Sequence, residues 1–281
     1  MKLKIVHTTD YSYADKVFFE PHYLRFKPKL STHFSVSDFS IAVEPNPAGM
    51  SEQIDCENNH MFLCWFEGTH KNLKIETEIL VDVREFNPFN FLIYPPEYAK
   101  LPFDYDKKTK KLLKPALKTG SLTEPMKQFL ENVLTETDHQ TVPFLTELTK
   151  QVHQNFNVEN RETGAPHRPE YTFSEKKGSC RDLAWMQIHL LRSLGIASRF
   201  ASGYLYLDGN DPSFELHAWV EVYIPGAGWR GFDPSHGLLA GQYHIPVASS
   251  SFFSNTMPVS GTIRGSAKNK LSSQLSMTLV S

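Results

Sequence analysis

The sequence predicts an α+β protein in two parts, an N-terminal antiparallel β-sandwich followed by helices packed on an antiparallel sheet. Three observations carry that reading. Short β-like segments fill the first third of the chain, helix-start signals follow at Thr123 and Thr141, and strand patterns return after Gly195. A chain of 281 residues suffices for one large or two ordinary domains with a substantial core. The expected division is 1–95 for the β domain, 96–122 for a linker, 123–250 for the core and 251–281 for a C-terminal strand extension.

In chain order, Lys2–Thr8, Ser35–Val43, Met61–Glu67 and Leu73–Val83 read as strands, separated by turn clusters such as Glu44-Pro45-Asn46-Pro47. Roughly seven strands are expected in the sandwich. Cys56 and Cys64 flank one expected hairpin, in which two reduced thiols pack across the strands. Tyr94-Pro95-Pro96 opens the linker, and the lysine-rich Lys107–Lys118 reads as a solvated surface loop. Thr123-Glu124-Pro125 starts a helix over Met126–Leu134, and Thr141-Val142-Pro143 starts another that runs to Asn155. Lys270–Val280, with Leu271, Leu275, Met277 and Leu279 among polar residues, reads as a last strand returning to the N-terminal sheet.

Between these elements lies the most informative local pattern. Gly178 allows a sharp turn, Ser179 is an N-cap, and an apolar-rich helix runs from Cys180 until Gly195 supplies its C-cap. Leu183, Leu190 and Leu194 fall on one face and Ala184, Ile188 and Leu191 on its neighbour, so the helix is buried and its first turn is held rigidly. A thiol at that position meets unpaired backbone N–H groups and the positive end of the helix dipole, which favour a thiolate and can stabilise an oxyanion. Most free cysteines are small buried hydrophobes. A filler of that kind has no need for Gly-Ser before it or for the charged Arg181-Asp182 pair after it.

A nucleophilic thiol needs a base, and the base needs an orienting group. His217 opens an alternating run, with Ala218, Val220, Val222 and Ile224 on one side and His217, Trp219, Glu221 and Tyr223 on the other, as in a half-buried strand lining a cleft. Pro225-Gly226-Ala227-Gly228 then turns the chain into a returning strand that ends at Asp233, across the hairpin from His217. A histidine at a strand start is usually structural, and Asp-Pro is a common turn opener. All three ordinary readings would have to coincide, so Cys180, His217 and Asp233 are read together as a catalytic set.

The blocks G-S-C-x-D-x-A, L-R-S-L-G-I-A-S-R-F-A-S-G-Y-L, H-A-W-V-E-V-Y and G-W-x-G-F-D-P-S resemble the transglutaminase-like core of bacterial proteins. The segment from His7 to Pro28 is similar to the β-rich domain that often precedes this core, and M-P-V-S-G-T-I-R-G resembles what often follows it. The resemblance implies a papain-like arrangement with Cys180 as nucleophile, His217 as base and Asp233 as its orienting partner. It implies thioester chemistry on amide bonds of peptides or proteins with no cofactor, hydrolysis being preferred and transfer to an amine the alternative. Two departures stand out: Asp182-Leu183 replaces an Asp-Phe pair, and Ser235-His236 replaces a Thr-Asn pair, placing His236 where it competes for Asp233. No side chain is assigned to the oxyanion hole, and no substrate-binding residue is assigned.

Other classes fare worse. With 29 basic and 31 acidic residues there is no basic patch for nucleic acid. No apolar run approaches a membrane span, and the first residues lack the apolar stretch of a signal peptide, so a cytoplasmic location is expected. Three cysteines make no disulfide framework, and twelve scattered histidines without a paired motif suggest no metal. Arylamine acetyl transfer would want a phosphate-binding loop for coenzyme A, and a silent binding module would be expected to lack a member of the catalytic set.

Overall fold

The computed structural model describes residues 1–161, 163–208 and 213–280. The predicted 123–250 and 251–281 segments include the few residues outside that set. The N-terminal strands are β1 (Lys2–Phe19), β2 (His22–Leu24), β3 (Phe34–Glu44), β4 (Gly49–Ile54), β5 (His60–Trp65) and β6 (His70–Val83). Alternation drives them: along β1, Leu3, Ile5, Val17 and Phe19 are buried while Lys2, Lys4 and Lys16 are not.

The helical part follows with α1 (Lys107–Leu112), α2 (Glu124–Glu136), α3 (Thr141–Asn155), β7 (Asn157–Val158), α4 (Pro169–Glu175), β8 (Lys177–Gly178) and α5 (Cys180–Ser193). The strands β9 (Ser198–Leu207), β10 (Ser213–Ile224), β11 (Gly228–Asp233), β12 (Leu238–Leu239) and β13 (His244–Ser250) form one sheet in the order β12-β11-β10-β9-β13. The chain ends in β14 (Val259–Ser260), β15 (Ile263–Arg264) and β16 (Asn269–Val280).

The N-terminal sandwich draws on both ends of the chain. One sheet runs β15-β1-β6-β3 with β16 also on β1, and the other runs β14-β2-β5-β4. The roughly seven strands expected from the first 95 residues are therefore six from that segment, with three from the tail. β16 pairs with β1 from Lys2↔Val280 to Tyr13↔Asn269 and buries Met277. Removing residues 269–281 would unpair twelve residues of β1 and uncover the apolar surface under Met277. The truncated protein is expected to lose several degrees in thermal midpoint and to aggregate on heating; an unchanged midpoint would make the tail dispensable.

A shared apolar cluster joins the two halves. Leu3, Ile5, Phe34, Ile79 and Val81 from the sandwich pack with Tyr204, Tyr206, Ile245 and Val247 from the core sheet. The opposite face of that sheet, through Ala218, Val220, Val222, Ile224 and Phe232, packs on α2, α3 and α5. Strand β10 is thus covered on both faces rather than half-buried, and Trp219 is 2% exposed. The surface expected to line a cleft does so from the sandwich side. Trp219 and Glu221 border a cavity of about 440 Å³ whose other wall includes Lys29, His33 and Phe86.

Two further expectations change. Lys107–Lys118 is not a loop: Asp106 caps α1 by accepting from Lys108 N at 2.9 Å and Thr109 N at 3.1 Å, and a 3₁₀ turn spans Lys114–Leu117. Leu113 and Ala116 pack with Tyr105 and Ala197, and the lysine content hid these anchors. Cys56 and Cys64 do not pack across the hairpin. The register pairs Met50 with Cys64, which leaves Cys56 exposed in the connecting turn and Cys64 buried in the core.

Candidate active site

Cys180 is the first residue of α5, and the turn before it is built around a buried acid. Asp182 is fully buried; its Oδ2 accepts from the Ser179 N–H at 2.8 Å and the Ser179 hydroxyl at 2.6 Å. Its Oδ1 accepts from Arg161 Nη2 at 2.6 Å and from the His167 N–H at 2.7 Å. An acid three residues after the N-cap that reaches back to the cap's N–H is half of a capping box. Here it also ties the helix start to Arg161 and His167. Burial pushes its carboxyl up, and the donors from Ser179, His167 and Arg161 more than offset that, holding it below the ordinary aspartate range.

His217 sits on β10 beside Gly203 of β9, its side chain fully buried. Its Nε2 donates to Asp233 Oδ2 at 2.8 Å, and its ring interacts with the Cys180 thiol. With Nε2 committed to the carboxylate, Nδ1 is the nitrogen free to exchange a proton with sulfur. That atom is buried without an aligned hydrogen bond, although Glu215 Oε1 lies 2.8 Å away off the bonding direction. Desolvation opposes charge on the ring, but the Asp233 charge and the contacts with Asp233, Cys180 and Glu215 together raise its pKa well above the usual histidine value.

Asp233, at the end of β11, is fully buried and receives more donors than sequence suggested. Its Oδ1 accepts from the Ser235 N–H at 2.9 Å. Its Oδ2 accepts from His217, from His236 Nδ1 at 2.9 Å and from His244 Nε2 at 3.1 Å. Burial alone would raise this carboxyl; the His217 charge and the three imidazole donors instead hold it well below the usual range. His236 thus shares the carboxylate with His217 rather than displacing it. Desolvation lowers the His244 pKa below the usual histidine value, outweighing the pull of Asp233. The Gly241 N–H points at its Nδ1 at 3.3 Å, which leaves the proton on the Nε2 facing Asp233.

The structure therefore brings Cys180, His217 and Asp233 together in that order. Sequence reasoning had missed Glu215, His244 and the anchoring role of Asp182. The Ser179-to-Asp182 spacing was a usable signal for the cap, whereas His244 opens a short strand interrupted by Pro246 and carries no local signature.

Residues 3–82 match the bacterial transglutaminase-like N-terminal region, and residues 127–234, which contain all three site residues, match the transglutaminase-like superfamily. The core segment that holds the site is thus similar to the transglutaminase-like superfamily, and the sandwich to the N-terminal region of its bacterial members. It is 23% identical to an uncharacterized protein of Mycobacterium tuberculosis over 96% of this chain and 90% of that one. A protein-glutamine gamma-glutamyltransferase of Pseudomonas aeruginosa is 32% identical across 26% of this chain and 12% of its own length. Among solved structures, a "putative cysteine protease" from Cytophaga hutchinsonii superposes with a TM-score of 0.70 at 21% identity, covering 100% of this chain and 92% of that chain. That likeness shows a shared fold, an N-terminal antiparallel sandwich and a core of helices on a sheet.

Differential labelling offers a direct check on the thiol. Cys64 is buried, and desolvation pushes its thiol up to about 11, while Cys56 is exposed in a turn rather than at a helix N-terminus. Iodoacetamide near neutral pH is expected to modify Cys180 first. Peptide mapping that found Cys56 or Cys64 alkylated ahead of it would remove Cys180 from the nucleophile's role.

Proposed function

We propose that this transglutaminase-like protein is a cysteine enzyme that opens amide bonds of peptides or proteins through a thioester, with water as the usual acceptor. The observation that carries the reading is a thiol at a helix N-terminus, against an imidazole whose far nitrogen is held by a buried carboxylate. In the proposed cycle His217 Nδ1 takes the Cys180 proton and sulfur attacks the amide carbonyl carbon. The C–N bond then breaks, and the imidazolium returns its proton to the departing amine. Water enters, gives a proton to His217 and attacks the thioester carbon, releasing the acid and the thiol. The first N–H groups of α5, turned outward by helix geometry, are the donors available to the oxyanion.

Transfer to an amine is the second reading, and Glu215 favours it. Its half-exposed carboxylate lies beside the catalytic ring, is held below the ordinary glutamate range against the opposing effect of desolvation by the neighbouring His217 and His236, and would attract a cationic amine. Incubation with a panel of electrophilic acyl donors, followed by intact-mass measurement with and without added amines, tests both. A thioester adduct on Cys180 that turns over in water supports hydrolysis, and product carrying the amine supports transfer. If no donor leaves an adduct on Cys180 while the free thiol remains titratable, the protein is a binding module that keeps the fold.

A further inference from the structure

We propose that Glu215, His217 and His236 form a binding site for a divalent transition metal of the zinc type, which shuts off the thiol when filled. The ligand atoms of these three residues lie within 4.8 Å of one another. Glu215 Oε1 is 2.8 Å from His217 Nδ1 and 3.9 Å from His236 Nε2. Two ligands of a tetrahedral zinc ion sit roughly 3.3 Å apart, given metal–ligand bonds of about 2.0–2.1 Å. The observed separations bracket that spacing, so small side-chain movements close the site.

The stronger argument is the way both rings are held. His217 donates Nε2 and His236 donates Nδ1 to the same Oδ2 of Asp233, at 2.8 and 2.9 Å. A histidine that ligates zinc commonly gives its other N–H to a carboxylate, which fixes the tautomer and raises the basicity of the ligating nitrogen. Here one buried carboxylate does this for two rings and leaves His217 Nδ1 and His236 Nε2 facing the Glu215 carboxylate. His217 Nδ1 has no aligned hydrogen bond to lose. Glu215 and His236 are 47% and 27% exposed at the side chain, so an ion can reach them from solvent. Cys180, at the start of α5, is only partly buried, and as a thiolate would be a soft ligand able to complete the site. The neighbouring cluster of His217, Asp233 and His244 offers no such route, because all three are buried.

A metal held there occupies the lone pair that His217 needs to take the thiol proton, so its presence blocks the chemistry and its removal restores it. This goes beyond the proposed amide reaction and is read without any amide substrate. The full chain, reduced with a phosphine that does not bind metal, is titrated with zinc chloride by calorimetry, and Cys180 alkylation by iodoacetamide is followed by mass in parallel. One zinc per chain is expected, with alkylation slowed at least about tenfold and restored by a chelator. Glu215→Gln and His236→Gln are each expected to weaken zinc binding by about tenfold or more, the scale on which even supporting residues affect metal affinity. Absence of binding, binding without protection of Cys180, or unchanged affinity in either variant overturns the proposal. If a variant does not fold by circular dichroism, cobalt titration of the unmodified protein decides, because a tetrahedral site of imidazole, carboxylate and thiolate ligands gives visible absorption bands and their absence refutes the site.

Discussion

Asp233→Asn is expected to slow Cys180 acylation by about 10²–10⁴-fold while leaving the fold in place, by the reasoning that applies to other catalytic triads. The carboxylate is an acceptor for three imidazoles and supplies the charge that stabilises the His217 imidazolium. An amide keeps the shape but presents N–H groups to some of these rings. A His217 that must accept at Nε2 carries its proton on Nδ1, where it can no longer take one from sulfur. The pH dependence of stability provides a separate check. The raised His217 pKa contributes stability that is complete below the unfolded histidine value and is lost as pH rises through the folded one. The lowered Asp233 pKa contributes stability that is present above the unfolded aspartate value and is lost as pH falls through the folded one. Both describe one ion pair, so its contribution spans the interval between the two folded values. Thermal midpoints of the Asn variant should therefore vary less with pH than those of the parent. A variant with full acylation rate and the parent's midpoint would make Asp233 a turn residue only.

Asp182→Ala is expected to destabilise the protein by about 3 kcal/mol, the lower end of the range for breaking a buried charge pair, because its Arg161 partner is 26% exposed. Four donors lose their acceptor at once: the N–H and hydroxyl of Ser179, the His167 N–H and Arg161. The start of α5 then loses its link to Arg161 and His167, so Cys180 acylation is expected to slow as well. Asp182→Asn, which keeps one acceptor, is expected to lose less of both. Urea unfolding and alkylation kinetics measured on the same preparations check this. An Ala variant equal to the parent in both would mean that the cap does not position the thiol.

Where the sequence could be read and where it could not follows from the range of the interactions. α3 and α5 start where Thr141 and Cys180 suggested, because caps, prolines and apolar periodicity act within a few residues. The β10–β11 hairpin is similarly local: a Pro-Gly turn and the alternation of His217 to Ile224 bring Asp233, next in register after the Val220↔Phe232 pair, within hydrogen-bond reach of the histidine. Other features depend on partners far along the chain. Nothing near His244 signals that it meets Asp233. Nothing within Lys107–Lys118 reveals that Leu113 and Ala116 dock beside Ala197. The strand character of the tail was visible in its alternation, whereas its register against β1 depends on residues more than two hundred positions away.

That register has a consequence for how the molecule is made. During synthesis β1 emerges well before β16, so the backbone groups along one side of β1 wait for their partner while the long stretch between the two strands is translated. The nascent protein carries an open, pairing-competent strand throughout that time, the kind of edge that recruits a neighbour's strand when chains are crowded. A ribosome paused on the same message brings a second copy of β16 within reach of it. Exchange of this terminal strand between two chains would reproduce the same pairing with no new contact, so expression at high level is where strand-swapped dimers of this protein should first appear.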